Sequence, residues 1–371
     1  MAEDDPLLGH GRQIIVREDW LRLTEEEILE PGLPIVDPHH HLWERGGGHS
    51  YLLPQLLADT SSGHDVRATI FVQCGEMYRA SGPVEEQSLG ETEFVTGVAA
   101  VSASGRHGQL RACAGIIGMV DLTLGDCVEP LLDRHRAVAG GRFCGIRNRT
   151  AWHSSPDVTT NLVMKPPGPL EHPSFAEGAR RLAKQGLPLD VWAYHTQLAH
   201  VVKLAQAVPE LTLIVDHVGG PLGIGPFRGK QAEVYPEWKQ RMMELAALPN
   251  VRVKLGGLTM FVNGFDFHKK PKPPGSEELA KTWAPYIEPC IEAFGVDRCM
   301  FESNFPVDKG QCSYPVLWNA FKRLTANAGV AEKTALYSGT AMRTYGLDRL
   351  PAALAVGLAT KQQSDVTPPL A

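Results

Sequence analysis

The chain has 371 residues, 43% of them hydrophobic and 21% charged. That is the make-up of a globular protein with a substantial core, and it excludes collagen-like, disordered and membrane-embedded classes. The net charge of −6 comes with no basic block beyond the proline-flanked "HKKPKPP" at 268–274, which argues against nucleic-acid binding.

Residues 1–33 read as an N-terminal extension, acidic and polar at its start and unlike a signal peptide. Short β-rich runs then recur, each ending in polar residues. They are "LPIVDPHHH" near 33, "RATIFVQCGEMY" at 67, "LRACAGIIGMVD" at 110 and "GRFCGIRNRTAWH" at 141. "LPLDVWAYH" follows at 187, "LTLIVDHVGG" at 211, "VRVKLGGLTM" at 251 and "RCMFESNFPVD" at 298. Between them, "GETEFVTGVAAVSA", "SFAEGARRLAKQG", "LAHVVKLAQAV", "YPEWKQRMMELAAL", "AKTWAPYIEPCIEAFG" and "YPVLWNAFKRLTANAG" place apolar residues at helical spacing. Eight strands alternating with helices predict an α/β fold, a (β/α)8 TIM barrel over 34–348, with a loosely held tail at 349–371. Runs such as "ATIFV" are apolar throughout, as parallel strands buried on both faces should be. The competing doubly wound sheet lacks a G-x-G-x-x-G after an early strand. Seven scattered cysteines with no C-x-x-C pair read as free thiols, and no apolar run reaches the length of a membrane span. A cytoplasmic protein with no membrane partner and no nucleic-acid partner is expected; a homo-oligomer is compatible with all of this.

Such barrels build their active sites at the C-terminal ends of the strands. The residues there are His39, His40 and His41, Glu76, Arg147, His195, His217, Lys254, and the run Glu302, Ser303 and Asn304. His39 and His41 share a strand face and His40 takes the other, which gives His40 a structural role. An H-x-H on the first strand plus single histidines on two later ones is a metal-binding grouping of neutral imidazoles. Arg147 suits a substrate carboxylate, because its fork matches one bidentately; Arg149 ranks below it. Tyr194 is a candidate donor to substrate, and His153 reads equally as a pocket residue or an exposed loop residue. Asp216 is expected to face the helices, and Lys254 to be an interior ion-pair partner. "GGPLGIGPFRG" reads as a mobile loop over the barrel mouth, and "FDFHKKPKPPGSEE" as a second closing loop.

"VDPHHHLW", "DVWAYHTQL", "VDHVGGP" and "MFESNFPVD" together resemble the amidohydrolase superfamily, over residues 34 to 347. More narrowly they resemble the amidohydrolase-2 branch, with its fuconolactonase-like and pyrone-dicarboxylate-lactonase-like hydrolases and its non-oxidative decarboxylases. The resemblance implies a barrel acting on a small molecule, with His39, His41 and His195 holding a divalent metal, zinc or manganese. Many members end strand eight with an Asp that accepts a proton; here Asn304 stands in its place, and an amide has no useful basicity. Proton transfer then falls to His217, Glu302 or Asp308, or the histidines act on the carbonyl with no metal. The expected activity is hydrolysis of a small carboxylate-bearing lactone. A decarboxylase on the same barrel, or a catalytically silent ligand-binding barrel, are the alternatives.

Overall fold

In the computed structural model, residues 5–45, 49–158 and 168–349 are described. Eight strands form one parallel sheet in sequence order: β1 (Pro34–His40), β2 (Asp65–Val72), β3 (Arg111–Gly118), β4 (Phe143–Arg149), β5 (Leu189–Trp192), β6 (Leu213–Val215), β7 (Val251–Leu255) and β8 (Cys299–Phe301). The ring closes just beyond the strands. His41 donates its backbone N–H to Phe305 O (2.8 Å), and Asn304 donates its own to His39 O (2.9 Å). Each strand is followed by a helix: α1 (Leu53–Thr60), α2 (Leu89–Ala103), α3 (Val128–Val138), α4 (Phe175–Lys184), α5 (Leu198–Ala207), α6 (Gln231–Ala246), α7 (Ser276–Phe294) and α8 (Tyr314–Leu324). This is the (β/α)8 barrel that the alternation predicts. Two helices escape the apolar-spacing reading: α1 has only 8 residues, and α3 is interrupted by charge in "VEPLLDRHRAV".

The apolar strand runs follow from two cores. Along β2, Ala68, Ile70 and Val72 point into the barrel, while Phe71 points out to the helices. Helix α5 buries Leu198, Val201, Val202 and Ala205, the i, i+3, i+4, i+7 stripe that packs it on the sheet, with Leu204 buried beside them. The barrel floor is plugged from the C-terminal side of the chain by Ala341, Tyr345 and Leu347, which pack on Val36, Ile214 and Met300. The extension seen in the sequence is tied to the barrel as far as it is described. Arg17 donates to His268 O (2.5 Å), Trp20 to Lys270 O (3.0 Å), and Lys322 to Leu29 O (2.7 Å). The tail from 350 onward lies outside the described residues. No described helix is long and apolar enough to cross a membrane, and all seven cysteines are free.

The glycine-rich segment after β6 is not a free loop. Leu222 and Ile224 are buried, Gly223 N–H donates to Val262 O (2.8 Å), and Asn263 donates to Pro221 O (3.0 Å).

Candidate active site

A cavity of about 160 Å³ opens at the C-terminal ends of the strands. Its wall includes His41, Trp43, Arg45, Arg147, Arg149, Trp192, Tyr194, His217, Met260 and Asn304, with Gly11 to Ile14 closing one side.

At its floor Glu302 joins two histidines. Its Oε1 accepts both the ring Nδ1–H (2.6 Å) and the backbone N–H (3.1 Å) of His217, and its Oε2 lies 2.7 Å from His39 Nδ1. A carboxylate only accepts. The proton of a neutral His217 ring therefore sits on Nδ1, and the lone pair on Nε2. Strand parity alone would aim His217 outward, since Ile214 faces the barrel interior and His217 is three residues on. The backbone corrects this: His217 (φ 55) and Val218 (φ 47) adopt left-handed conformations, each costing about 1–2 kcal/mol for a residue with a Cβ. Two bonds hold the turn, the Glu302 contact and Trp238 Nε1–H donating to Val218 O (2.7 Å). The "GG" after β7 makes room for the pair. A Cβ on Gly257 would lie 2.5 Å from His217 Nδ1, and one on Gly256 would lie 2.5 Å from Glu302 Cγ.

Beneath this pair the barrel interior is charged. Lys254 Nζ lies 2.5 Å from Asp190 and 3.4 Å from Asp216, and Tyr345 donates to Asp190 from below (3.0 Å). Burial pulls the Lys254 ammonium down, but Asp190, Asp216 and Glu302 outweigh it and hold it above its ordinary value. Lys254 is therefore a charged ion-pair partner and not a free amine. Asp216, expected to face the helices, points inward, being two residues from Ile214 on the interior face. Burial, reinforced by the nearby Lys254, pushes His39 well below its usual range, and burial does the same to His41. Both rings are thus neutral near pH 7, and His41 directs Nδ1 at Val72 O (2.7 Å).

Arg147 is 7% exposed and committed in part to the scaffold: NH1 donates to His39 Nε2 (3.2 Å), and NH2 donates to Gln73 O. Arg149, two residues on along the same strand and ranked lower by sequence, also lines the cavity. Arg45 stacks on Trp43 (4.0 Å) and is held by Glu76 (2.6 Å).

Of the residues singled out in sequence, the structure brings together His39, His41, Arg147, Tyr194, His217, Glu302 and Asn304. Asp308 stands behind Asn304, whose Nδ2 donates to it (3.1 Å); burial raises this carboxyl to about 7. The Asn304 Oδ1 is buried without a partner, on the cavity wall. Glu76 is absent from the wall and acts on Arg45. His195 and His153 are also absent from it, both packing their rings on Phe227 (5.1 and 5.4 Å). His195 Nδ1 accepts the Leu222 N–H (3.2 Å), and burial lowers the ring to about 4. His40 turns behind the sheet to Thr69 Oγ1 (2.8 Å).

Of the expected His39–His41–His195 metal set, His195 packs its ring on Phe227 and is absent from the cavity wall. Among the described residues, one donor atom each of His39, Asp216 and His217 lie within 4.8 Å of one another. The Asp216 carboxylate makes no hydrogen bond, its buried oxygens facing only the charges of Lys254 (3.4 Å) and Arg147 (3.7 Å), and His39 is neutral. Two imidazoles and a carboxylate are donors that suit a borderline divalent ion such as zinc. Asp216, expected to face the helices, shares its parity with the inward-facing Ile214, and that was the available signal.

Imidazoles and carboxylates gathered at the C-terminal mouth of a (β/α)8 barrel define an enzyme scaffold for small molecules. The chain belongs to the amidohydrolase family, in its amidohydrolase-2 branch: the family model described as "Amidohydrolase" matches residues 36–347. It is 31% identical over 335 residues to the protein called y4mH of Sinorhizobium fredii, covering 84% of this chain and 98% of that one. It is 28% identical over 325 residues to an L-fucono-1,5-lactonase of Burkholderia multivorans, covering 84% and 96%. Among solved structures, a zinc-bound amidohydrolase of Burkholderia multivorans superposes with a TM-score of 0.63 at 24% identity, covering 84% of this chain and 99% of that one. A manganese-bound 5-carboxyvanillate decarboxylase of Novosphingobium aromaticivorans superposes at 0.51 and 12%, covering 85% and 97%. These two likenesses concern the fold.

Proposed function

We propose that the protein opens a small, carboxylate-bearing lactone by hydrolysis, with His217 as general base. The observation that carries this reading is the His217–Glu302 pair, which leaves Nε2 of His217 facing a cavity rich in arginine. The substrate carboxylate sits against the guanidinium groups of Arg147 and Arg149. Asn304 Oδ1, otherwise unpartnered, accepts one O–H of a water and orients it. His217 Nε2 takes the other proton as the water oxygen attacks the lactone carbonyl, while Glu302 stabilises the imidazolium that forms. Arg147 faces the negative charge that develops on the carbonyl oxygen. The ring C–O bond then breaks, and the leaving alkoxide takes the proton back from His217, giving a hydroxy acid.

A divalent ion on His39, Asp216 and His217 would supply carbonyl polarisation and acidify water. It would also use the His217 lone pair, so the two arrangements exclude each other. The test is a lactone panel assayed by proton release, with metal analysis before and after chelation. Hydrolysis that survives in a verified metal-free preparation supports the base arrangement, and activity restored only by zinc or manganese favours the ion. Carbon dioxide released from hydroxybenzoate-type acids, with no ester opened, overturns the lactonase reading in favour of a decarboxylase.

A further inference from the structure

The chain before β1 crosses the barrel mouth. Residues 7–15 make a hairpin: Leu8 and Ile14 pair antiparallel, Gly9 N–H donates to Gln13 O (2.8 Å), and Ile15 N–H donates to Leu7 O (2.8 Å). Its tip, Gly11 (φ 64) and Arg12 (φ 56), lines the cavity, and Arg12 NH1 donates to Asp157 O (2.6 Å) in the segment after β4. Its flanks are tied after β7 and β8. Asp5 contacts His268 (3.1 Å), Glu18 contacts Lys309 (2.9 Å), and Ile14 is buried against Gly310, where a Cβ would lie 2.7 Å from the Ile14 Cβ. In a ring of eight strands β4 stands opposite β8, so the hairpin is a strap over the mouth. Gln13 Oε1 accepts from Arg45 NH1 (2.7 Å) on the cavity side.

The His268 tie needs two ring protons. Gln311 Oε1 accepts the His268 backbone N–H (3.0 Å) while its Nε2 donates to Thr259 O, so the amide is fixed at both ends. The same Oε1 lies 3.2 Å from His268 Nδ1 and can only accept, so Nδ1 carries a proton. Nε2 faces Asp5 Oδ2 at 3.1 Å, and a carboxylate also can only accept. Burial raises the Asp5 carboxyl, but the Leu7 N–H, His268 and Lys269 outweigh it and hold it below its ordinary value. Asp5 is therefore ionised, the proton between the two belongs to Nε2, and His268 is an imidazolium while the strap is closed. The ring is buried, with the Phe261 ring edge-on at 6.5 Å. The charges around it are Arg17, which donates to His268 O, Lys269, 3.4 Å from both Asp5 and Asp266, Arg228 on Asp266 (3.2 Å), and the Lys270–Glu278 pair. Between about pH 5 and 8 histidine is the side chain that ordinarily titrates; Asp, Glu, Lys and Arg ordinarily do not.

We propose that His268 is a proton-dependent latch on the N-terminal strap. Charged, it holds Asp5, and the strap closes one side of the cavity. Neutral, it turns a lone pair on the Asp5 carboxylate, and the strap is released. Release takes Gly11 to Ile14 out of the cavity wall and Gln13 off Arg45, so the regulated event is access to the cavity. His268 itself is absent from the wall and has no part in the chemistry. The closed strap keeps a proton that the open one gives up as pH rises. Closure therefore weakens with rising pH, by at most about tenfold per pH unit for one proton. This rests on the contacts of the strap and not on the lactonase reading.

Trypsin reads the release, because the strap carries cleavage sites after Arg12 and Arg17 and cutting needs an opened backbone. The full chain is digested between pH 6 and pH 8.5. An isotope-labelled free peptide of residues 7–20 in the same tube corrects for the response of trypsin itself. Wild-type cleavage relative to the peptide rises at least about fivefold over that range. Asp5→Asn flattens the rise, because an amide accepts from a protonated ring nitrogen and donates to a bare one. His268→Gln, which takes up no proton, flattens it too. Glu18→Gln loosens the second tie and raises cleavage at every pH while the rise remains. A flat wild-type profile, or a rise of wild-type size in Asp5→Asn, overturns the proposal. So does a rise that disappears in Glu18→Gln, which would place the switch at Lys309. No lactone enters the assay, so a failure to open any lactone would refute the lactonase reading and leave this result standing.

Discussion

Replacing Glu302 by Gln tests the heart of the site. The carboxylate accepts the His217 ring at 2.6 Å and its backbone N–H at 3.1 Å, and it stands 2.7 Å from His39. A hydrogen bond to a charged group contributes about 1.5–3 kcal/mol. In the proton-transfer step this bond strengthens as imidazolium forms, so the loss appears in kcat. At about 1.4 kcal/mol per decade, Glu302→Gln lowers kcat by about 10- to 150-fold. If the new amide instead turns its NH2 toward Nδ1, the ring proton moves to Nε2, the base is lost, and the drop exceeds this range. Glu302 is fully buried and absent from the cavity wall, so KM changes by no more than about threefold. The assay is proton release at saturating lactone, with thermal melting to verify the fold. A folded Glu302→Gln protein with wild-type kcat, or one whose defect lies wholly in KM, would refute the dyad. Recovery on adding zinc would show instead that Glu302 serves a metal ligand.

Three further outcomes follow from particular contacts. Gly257→Ala places a Cβ 2.5 Å from His217 Nδ1 at a residue with φ 67, so kcat falls by at least about tenfold and the melting temperature drops, while Gly229→Ala, at φ 72 but with open space, carries the backbone strain alone and leaves kcat unchanged. Asn304→Asp sets two carboxyls 3.1 Å apart, and one must keep a proton. Its folded pKa then lies above the unfolded value, so the variant loses stability relative to wild type as pH rises from about 4 through 7, and equal losses at pH 5 and pH 8 would contradict this. Burial lowers His40 to about 3, against an ordinary 6.5. The folded protein thus binds fewer protons there than the unfolded chain between those values, and stability falls as pH drops below 6.5, by at most about 1.4 kcal/mol per pH unit for one group. In His40→Gln, denaturant titrations from pH 6.5 to 4 should give a flatter profile; an identical slope would remove His40 from the acid response.

The barrel was legible in the sequence because a parallel sheet buried on both faces demands apolar runs, and each run ends where polar residues emerge at the mouth. "ATIFV" shows it: Ala68, Ile70 and Val72 fill the interior while Phe71 meets the helices. His39, Arg147, His217 and Glu302 stand at strand ends for the same reason. Which of them meet was decided by tertiary structure. Alternation along a strand predicts direction only while the backbone stays extended, and His217 and Asn304 both sit at φ above 50. That turn brings His217 to Glu302 over the intervening strand β7, while His195 packs against Phe227. No spacing in the sequence couples Gly257 to His217, or the hairpin at Arg12 to a cavity built from strands that begin at residue 34. Those contacts exist only once the ring has closed, because closure is what sets residues far apart in the chain within a few ångströms of one another.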